Sequence, residues 1–178
     1  MKTLNMFSAL DPKPSYLFDS DSFIKPSRTS HRFSRGTLLW DFLEQKAQEH
    51  IIGSPSIVLD LELTHTDKSK VDNLEKWARN LDGVLFLPPD ESIQKYNSQI
   101  VQYVSSNPQY KIYHTQAFLS KADPWVIAYT KAYGGKIVTF ETSKPLQTKP
   151  KIPDVAEALF GIKCIDLWDA LDELGFHE

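Results

Sequence analysis

Four acids spread along the chain, Asp19, Glu62, Asp123 and Glu141, are the residues best placed to do chemistry. Asp19 closes the apolar run Tyr16-Leu17-Phe18, and Glu141 closes Ile137-Val138-Thr139-Phe140. A short apolar run ending in an acid reads as a buried strand that delivers a carboxylate at its C-terminal tip. Open parallel sheets bind ligands beyond those tips, so Asp19 and Glu141 point to one edge. Asp123 falls in the first turn of an expected helix and Glu62 lies early in another. Taken singly, each acid has an ordinary reading, since a carboxylate at a helix start stabilises the helix dipole. As a set they suit Mg²⁺ or Mn²⁺, which prefer carboxylate oxygens and keep several waters. Clustered carboxylates repel one another, and a cation relieves that repulsion. Such ions can activate a water and stabilise the leaving oxygen of a phosphodiester. The histidines show no paired spacing for zinc, and no glycine-rich phosphate loop is present.

The elements that must position these acids follow from composition and pattern. At 178 residues, 41% of them hydrophobic, the chain is sized for one α/β domain with a substantial core. Net charge is −3, so any nucleic-acid surface must be a local one. A lone cysteine, Cys164, excludes an internal disulfide and a thiolate metal cage, and reads as a buried small residue. Neither a signal peptide nor a membrane span is evident, which gives the expectation of a cytoplasmic protein. Residues 1–15, with Pro12 and Pro14, read as a loose extension ahead of a domain over 16–178.

Within that domain, residues 25–36 read as a basic loop or short helix containing Pro26. Thr37 is the expected N-cap of a helix to about residue 50. Gly53-Ser54-Pro55-Ser56 reads as a break, and 57–65 fits either strand or helix, with helix favoured because Ser56 can serve as its cap. A more polar helix is expected over 71–81, an extended segment over 83–89, and a helix capped by Asp90 to about residue 104. Residues 122–133 read as a helix stopped by Gly134-Gly135, followed by a strand over 136–140. After a loop over 142–151, Pro153 opens a helix ended by Gly161. A strand over 162–165 and a helix over 167–174 close the chain. This order implies a mostly parallel sheet with helices on both sides.

Several of these stretches resemble PIN-domain ribonucleases. Tyr16-Leu17-Phe18-Asp19-Ser20-Asp21-Ser22-Phe23-Ile24 resembles the family's opening motif, and Val58-Leu59-Asp60-Leu61-Glu62-Leu63 the helix carrying its second acid. Ala122-Asp123-Pro124-Trp125-Val126-Ile127-Ala128 resembles the third acidic motif, and Ile137-Val138-Thr139-Phe140-Glu141 the strand that ends in Thr and then an acid. The stretch from Lys151-Ile152-Pro153 onward resembles a VapC-like toxin subgroup. The resemblance runs from about residue 16 to 176. It implies a PIN-like three-layer α/β/α fold and a Mg²⁺- or Mn²⁺-dependent endoribonuclease leaving 5′-phosphates. It also implies the toxin role of a toxin–antitoxin pair, with a cognate antitoxin and a possible homodimer as partners. Asp19, Glu62, Asp123 and Glu141 take the catalytic and metal-site roles by match. Asp21 stands where Asn is commoner and adds a fifth carboxylate, and Glu141 stands where Asp is commoner.

The remaining expectations concern what surrounds the acids. Ser20 and Thr139 are candidates to hold metal-binding acids in place through hydrogen bonds. Lys25, Arg28, His31, Arg32 and Arg35 follow the first acid, and Lys144, Lys149 and Lys151 follow the last. Both groups read either as RNA-phosphate contacts or as solvated charge. Phe33 and Tyr133 are candidate base stackers, with core packing as the ordinary alternative, while Trp40, Trp77, Trp125 and Trp168 read as packing. Two rival readings stay open. Asp19-Ser20-Asp21 also satisfies the nucleophile–acid pattern of haloacid-dehalogenase-like phosphatases, and a PIN-like fold can persist as an inactive interaction module.

Overall fold

Apolar runs too short to stand alone become strands when each is buried on both faces. Among the described residues there are five strands, the inner ones mostly buried and the edge strand β5 half-buried: β1 (Tyr16–Phe18), β2 (Ile52–Pro55), β3 (Phe86–Leu87), β4 (Lys136–Val138) and β5 (Cys164–Ile165). In a computed structural model that describes residues 12–177, they pair in parallel in the order β3-β2-β1-β4-β5. Among the described residues, nine helices flank the sheet. They are α1 (Asp21–Arg28), α2 (Leu38–Gln48), α3 (Ser56–Val58), α4 (Asn73–Asn80), α5 (Glu91–Ser106), α6 (Ile112–Leu119), α7 (Asp123–Tyr133), α8 (Ile152–Phe160) and α9 (Leu167–Leu174).

From β1 the chain moves outward to β2 and β3, crosses back past β1 to form β4, and moves outward again to β5. Right-handed crossovers then place α1, α2 and α4 on one face and α5 to α8 on the other. The result is the expected three-layer α/β/α arrangement. Helix α7 lies across β1, β2 and β4 and packs on α5 and α8. Leu17, Phe18, Ile52, Phe86, Ile137 and Val138 are fully buried between the layers. Among the described residues, no helix is long and apolar enough to cross a membrane.

Sequence and structure part in several places. The expected break at Gly53-Ser54-Pro55 is strand β2, buried at every position. Its small residues serve close packing: a side chain on Gly53 would meet Pro14 Cγ at 2.7 Å, and Ser54 Oγ donates to Phe18 O. Pro55 ends the strand, where its missing N–H costs little. Helix α1 starts at Asp21, earlier than expected, and tolerates Pro26. Helix α6 was not expected at all. Thr37 stands at the N-cap position of α2 as expected, but its hydroxyl donates to Asp41 rather than accepting a helix N–H. Ser56 is the first residue of α3, with Pro55 at the cap position. Beyond α3 the helix widens into a π-helical turn, Leu59–Leu63, which carries Glu62. Asp90 caps α5 as expected, accepting from Ile93 N at 2.9 Å.

Of the extension expected over 1–15, residues 1–11 lie outside the described residues. The rest is docked rather than loose: Pro14 is buried, and Ser15 N donates to Ile51 O while Ser15 O accepts from Lys136 N. That strand-like bridge depends on Gly135, where an added Cβ would fall 2.3 Å from Ser15 O. The obstacle is backbone, so it cannot swing aside. Gly135→Ala is expected to destabilise the protein by about 2–3 kcal/mol in urea unfolding. A loss under about 0.5 kcal/mol would show that this edge is not held as described.

Candidate active site

The strand order reverses between β1 and β4, and in such sheets the crevice beyond the strand tips at the reversal is the natural binding place. Asp19 N donates to Val138 O at 2.9 Å, continuing the β1–β4 ladder one residue past β1. The acid is therefore fixed by main-chain bonds at the reversal itself. Thr139 N continues the β4–β5 ladder to Ile165 O in the same way, and Glu141 follows two residues later. Helices in parallel sheets run back against the strands, so the first residues of α1 and α7 lie at this same edge. Asp21 opens α1 and Asp123 opens α7.

One cleft of about 500 Å³ is lined by Asp19, Ser20, Asp21, Glu62, Asp123 and Glu141, together with Leu61, Ser120 and Lys121. All five sequence-derived acids meet there. Asp60, the neighbouring acid on the Glu62 turn, is exposed and outside the lining. Lys121 and Ser120 were not singled out from the sequence; the only hint was the adjacency Lys121-Ala122-Asp123.

Four of the five carboxylates, those of Asp19, Asp21, Glu62 and Glu141, accept hydrogen bonds from other residues. Asp19 is only 5% exposed. Its Oδ1 accepts from Ser20 N at 2.8 Å and its Oδ2 from Thr139 Oγ1 at 2.9 Å. Thr139 therefore holds the acid through its side chain, as expected, but Ser20 acts through its backbone. Both oxygens of Asp21 accept from Phe140 N at 3.2 Å. Glu62 Oε1 accepts from Ala122 N at 3.0 Å, so this acid also caps the amino end of α7. Glu141 Oε2 accepts from Ile152 N at 2.9 Å, and its Oε1 lies 3.8 Å from Lys151 Nζ.

The electrostatics follow from burial and crowding. Desolvation, then the charges of Asp21, Asp123 and Glu62, push Asp19 well above the usual carboxylate range, against the Thr139 hydrogen bond. Asp21 is raised by burial and by Glu141, against the Phe140 N–H and Lys25. Asp123 is pushed up to about 7 by burial, Glu141 and Glu62, with Lys121 opposing. The lining offers only oxygen donors besides the Lys121 amine, with no His or Cys, which is the donor set of a hard cation. Among the described residues, no three His, Cys, Asp or Glu side chains are arranged to hold a metal ion together.

The basic residues divide. Lys25 and Lys151 sit beside the acids Asp21 and Glu141. Arg28, Arg32 and Arg35 do not line the cleft, because α1 carries the chain away from the edge before they occur. Lys144 and Lys149 are exposed on the loop after Glu141, outside the lining. Phe33 is stacked on Trp40 with centroids 4.4 Å apart, and Tyr133 sits edge-on to Tyr129; both are half-buried, and neither lines the cleft. Trp40 is buried as expected, whereas Trp168 is 38% exposed. Burial and surrounding acids push the Cys164 thiol up to about 12, so it is not a ready nucleophile.

A family model described as a domain of unknown function, DUF4411, matches residues 16–177 and so takes in every acid of the cleft. No curated protein and no solved structure matches the chain.

Asp123 gives the site a measurable signature. Unfolded, its carboxyl ionises near 3.8; folded, it keeps its proton to about 7. Between these values the folded state binds more protons, so stability is greatest below the lower value and falls as pH rises to the upper one. Without added divalent cation, this group is expected to cost on the order of 4 kcal/mol at most across that window. Urea unfolding as a function of pH should show the decline, and Asp123→Asn should make it shallower, the raised Asp19 and Asp21 supplying what remains. An unchanged slope in the variant would remove the crowding argument.

Proposed function

The chain belongs to the DUF4411 family, and we propose that it is a divalent-metal-dependent endoribonuclease hydrolysing phosphodiester bonds of RNA. The observation that carries this reading is the convergence of five carboxylates from separate elements on one cleft at the strand-order reversal. Such crowding is costly for folding and is relieved by a cation. The donor set fits Mg²⁺ or Mn²⁺. The spread of the acids fits too, because Mg²⁺ is commonly held by one or two carboxylates, with waters and substrate phosphates completing its shell.

Asp19, Asp123 and Glu62 would hold a first ion, directly or through water, and Glu141 with Asp21 would complete that site or a weaker second one. When bound, the ion supplies activation of the attacking water and charge neutralisation at the phosphate. The protein's own groups do the rest. Thr139 and the Ser20 N–H hold Asp19 in one rotamer. Glu62 ties the second acid-bearing turn to the start of α7. Lys121, on the rim beside Asp123, offers a positive charge to a phosphate entering among carboxylates. Water adds to phosphorus in line, the P–O3′ bond breaks, and the products carry a 5′-phosphate and a 3′-hydroxyl. The resemblance to VapC-like proteins extends the proposal to the toxin role, with an antitoxin as partner.

Incubation with a mixed RNA pool should give Mg²⁺- or Mn²⁺-dependent cleavage, abolished by chelator, with 5′-phosphate ends. Asp19→Asn should reduce the rate by about a hundredfold or more while keeping or raising the melting temperature, since it removes a buried charge from a repulsive cluster. Cleavage that survives in that variant would overturn the assignment. For the toxin role, induced expression should arrest growth with the native chain and not with Asp19→Asn. Equal growth of both would remove that part of the reading.

A further inference from the structure

Beside the acid cleft runs a strip of aromatic and cationic side chains that hydrolysis itself does not require. Phe140, whose N–H binds Asp21, is its inner end. Lys25 Nζ lies 4.2 Å from the centre of the Phe140 ring. The Trp168 ring follows, 6.0 Å from Phe140, and then the His31 ring, 5.5 Å from Trp168. Around His31, Arg32 and Arg35 border a small depression of about 110 Å³. The placement follows from topology. Phe140 leaves β4 and Trp168 is the second residue of α9 after β5, so both emerge at the carboxyl edge.

A tryptophan more than a third exposed, in a strip that also holds Lys25 over Phe140 and Arg32 and Arg35 around His31, suits a ligand with flat apolar faces and negative charge. Unpaired bases on a phosphate backbone have both. In a duplex the base faces are covered by their neighbours and cannot reach an indole. The cleft itself is anionic and gives a polynucleotide little grip without a cation, whereas Lys25, Arg32 and Arg35 bring positive charge to the strip, partly offset by the exposed Asp169 and Asp172 of α9. We propose that this strip, leading from Asp21 to Arg35, binds single-stranded RNA next to the cleaved bond. A base stacks on Trp168, and Lys25, Arg32 and Arg35 take the adjoining phosphates. The inference rests on the reading of the cleft as an RNA-cleaving site, and it selects single strands over duplex.

The test measures binding in chelator, where no turnover occurs, by anisotropy of a short labelled oligoribonucleotide and by tryptophan fluorescence. Trp168→Ala should weaken single-strand binding about tenfold, and Trp168→Phe should restore most of it. Quenching of tryptophan fluorescence by bound RNA should vanish in Trp168→Phe, a variant that keeps an aromatic ring in place. Arg35→Gln should make the salt dependence of binding shallower by about 0.7 in log–log slope. Duplex RNA should bind more weakly than the single strand and be indifferent to Trp168. Unchanged affinity in Trp168→Ala, or quenching that persists in Trp168→Phe, would overturn the strip while leaving the cleavage assay with Asp19→Asn to judge the cleft. Trp168-dependent binding without metal-dependent cleavage by the native chain would keep the strip and sink the nuclease reading.

Discussion

Crowding of like charges at the tip of a central strand is the constraint around which this structure is arranged. β1 lies in the middle of the sheet, and the chain crosses past it between β3 and β4. Any side chain immediately after β1 therefore faces the crevice where the helices of the two layers part. Asp19 occupies that position with its main chain bonded to Val138 O and its carboxylate nearly buried. It cannot withdraw without opening the β1–β4 ladder. Asp21 and Asp123 begin helices that start at the same edge, so the fold that buries Asp19 also brings its like-charged neighbours.

The protein compensates by giving the acids structural tasks. Glu62 caps α7, and the π-helical turn that carries it is a local departure from regular helix of the kind common at functional sites. Glu141 caps the start of α8 through Ile152 N, and Asp21 receives the Phe140 N–H. Each N–H offered to a carboxylate favours its charged form, yet Asp19, Asp21 and Asp123 remain raised. The hydrogen bonds set where the acids sit; they do not cancel the repulsion.

How much of this could be read from the sequence depended on whether the signal was local. The strand tip at Asp19, the helix start at Asp123 and the stop at Gly134 are local, and Gly134 indeed adopts φ 80° at the end of α7. β2 was missed because glycine, serine and proline usually mark breaks, whereas here close contact with Pro14 and Phe18 requires small residues. That requirement is set by neighbours in space and leaves no trace in spacing. Nearness in sequence to Asp19 likewise does not reveal that Arg28, Arg32 and Arg35 lie outside the cleft lining, since α1 leads the chain away from the strand tips. Trp168, expected to pack, keeps more than a third of its surface open, because how far a ring is covered is set by the layer above it and not by its spacing. The single patterned exception is Glu62, where helical spacing separated it from Asp60 and only Glu62 lines the cleft.

A comparison within the molecule separates a carboxylate kept for stability from one that carries a cost. Glu75 is also closed to solvent, but it lies just beneath the surface, covered by the partly exposed side chains of His65 and Arg79. It accepts from His65 N and Nδ1 on one oxygen and from Arg79 Nε and Nη2 on the other, and these partners lower its pKa despite desolvation. That is how a buried charge is satisfied when its task is to anchor a loop, here the segment that follows the Glu62 turn. Asp19 has a backbone N–H and one hydroxyl, and it faces three other acids. The same chain thus contains the means to neutralise a buried carboxylate and does not apply them at the strand-order reversal. A fold under selection for stability alone would replace Asp19 with a neutral residue of similar shape. On the proposed reading, a cation supplied from outside would offset the repulsion of Asp19 with Asp21, Glu62 and Asp123.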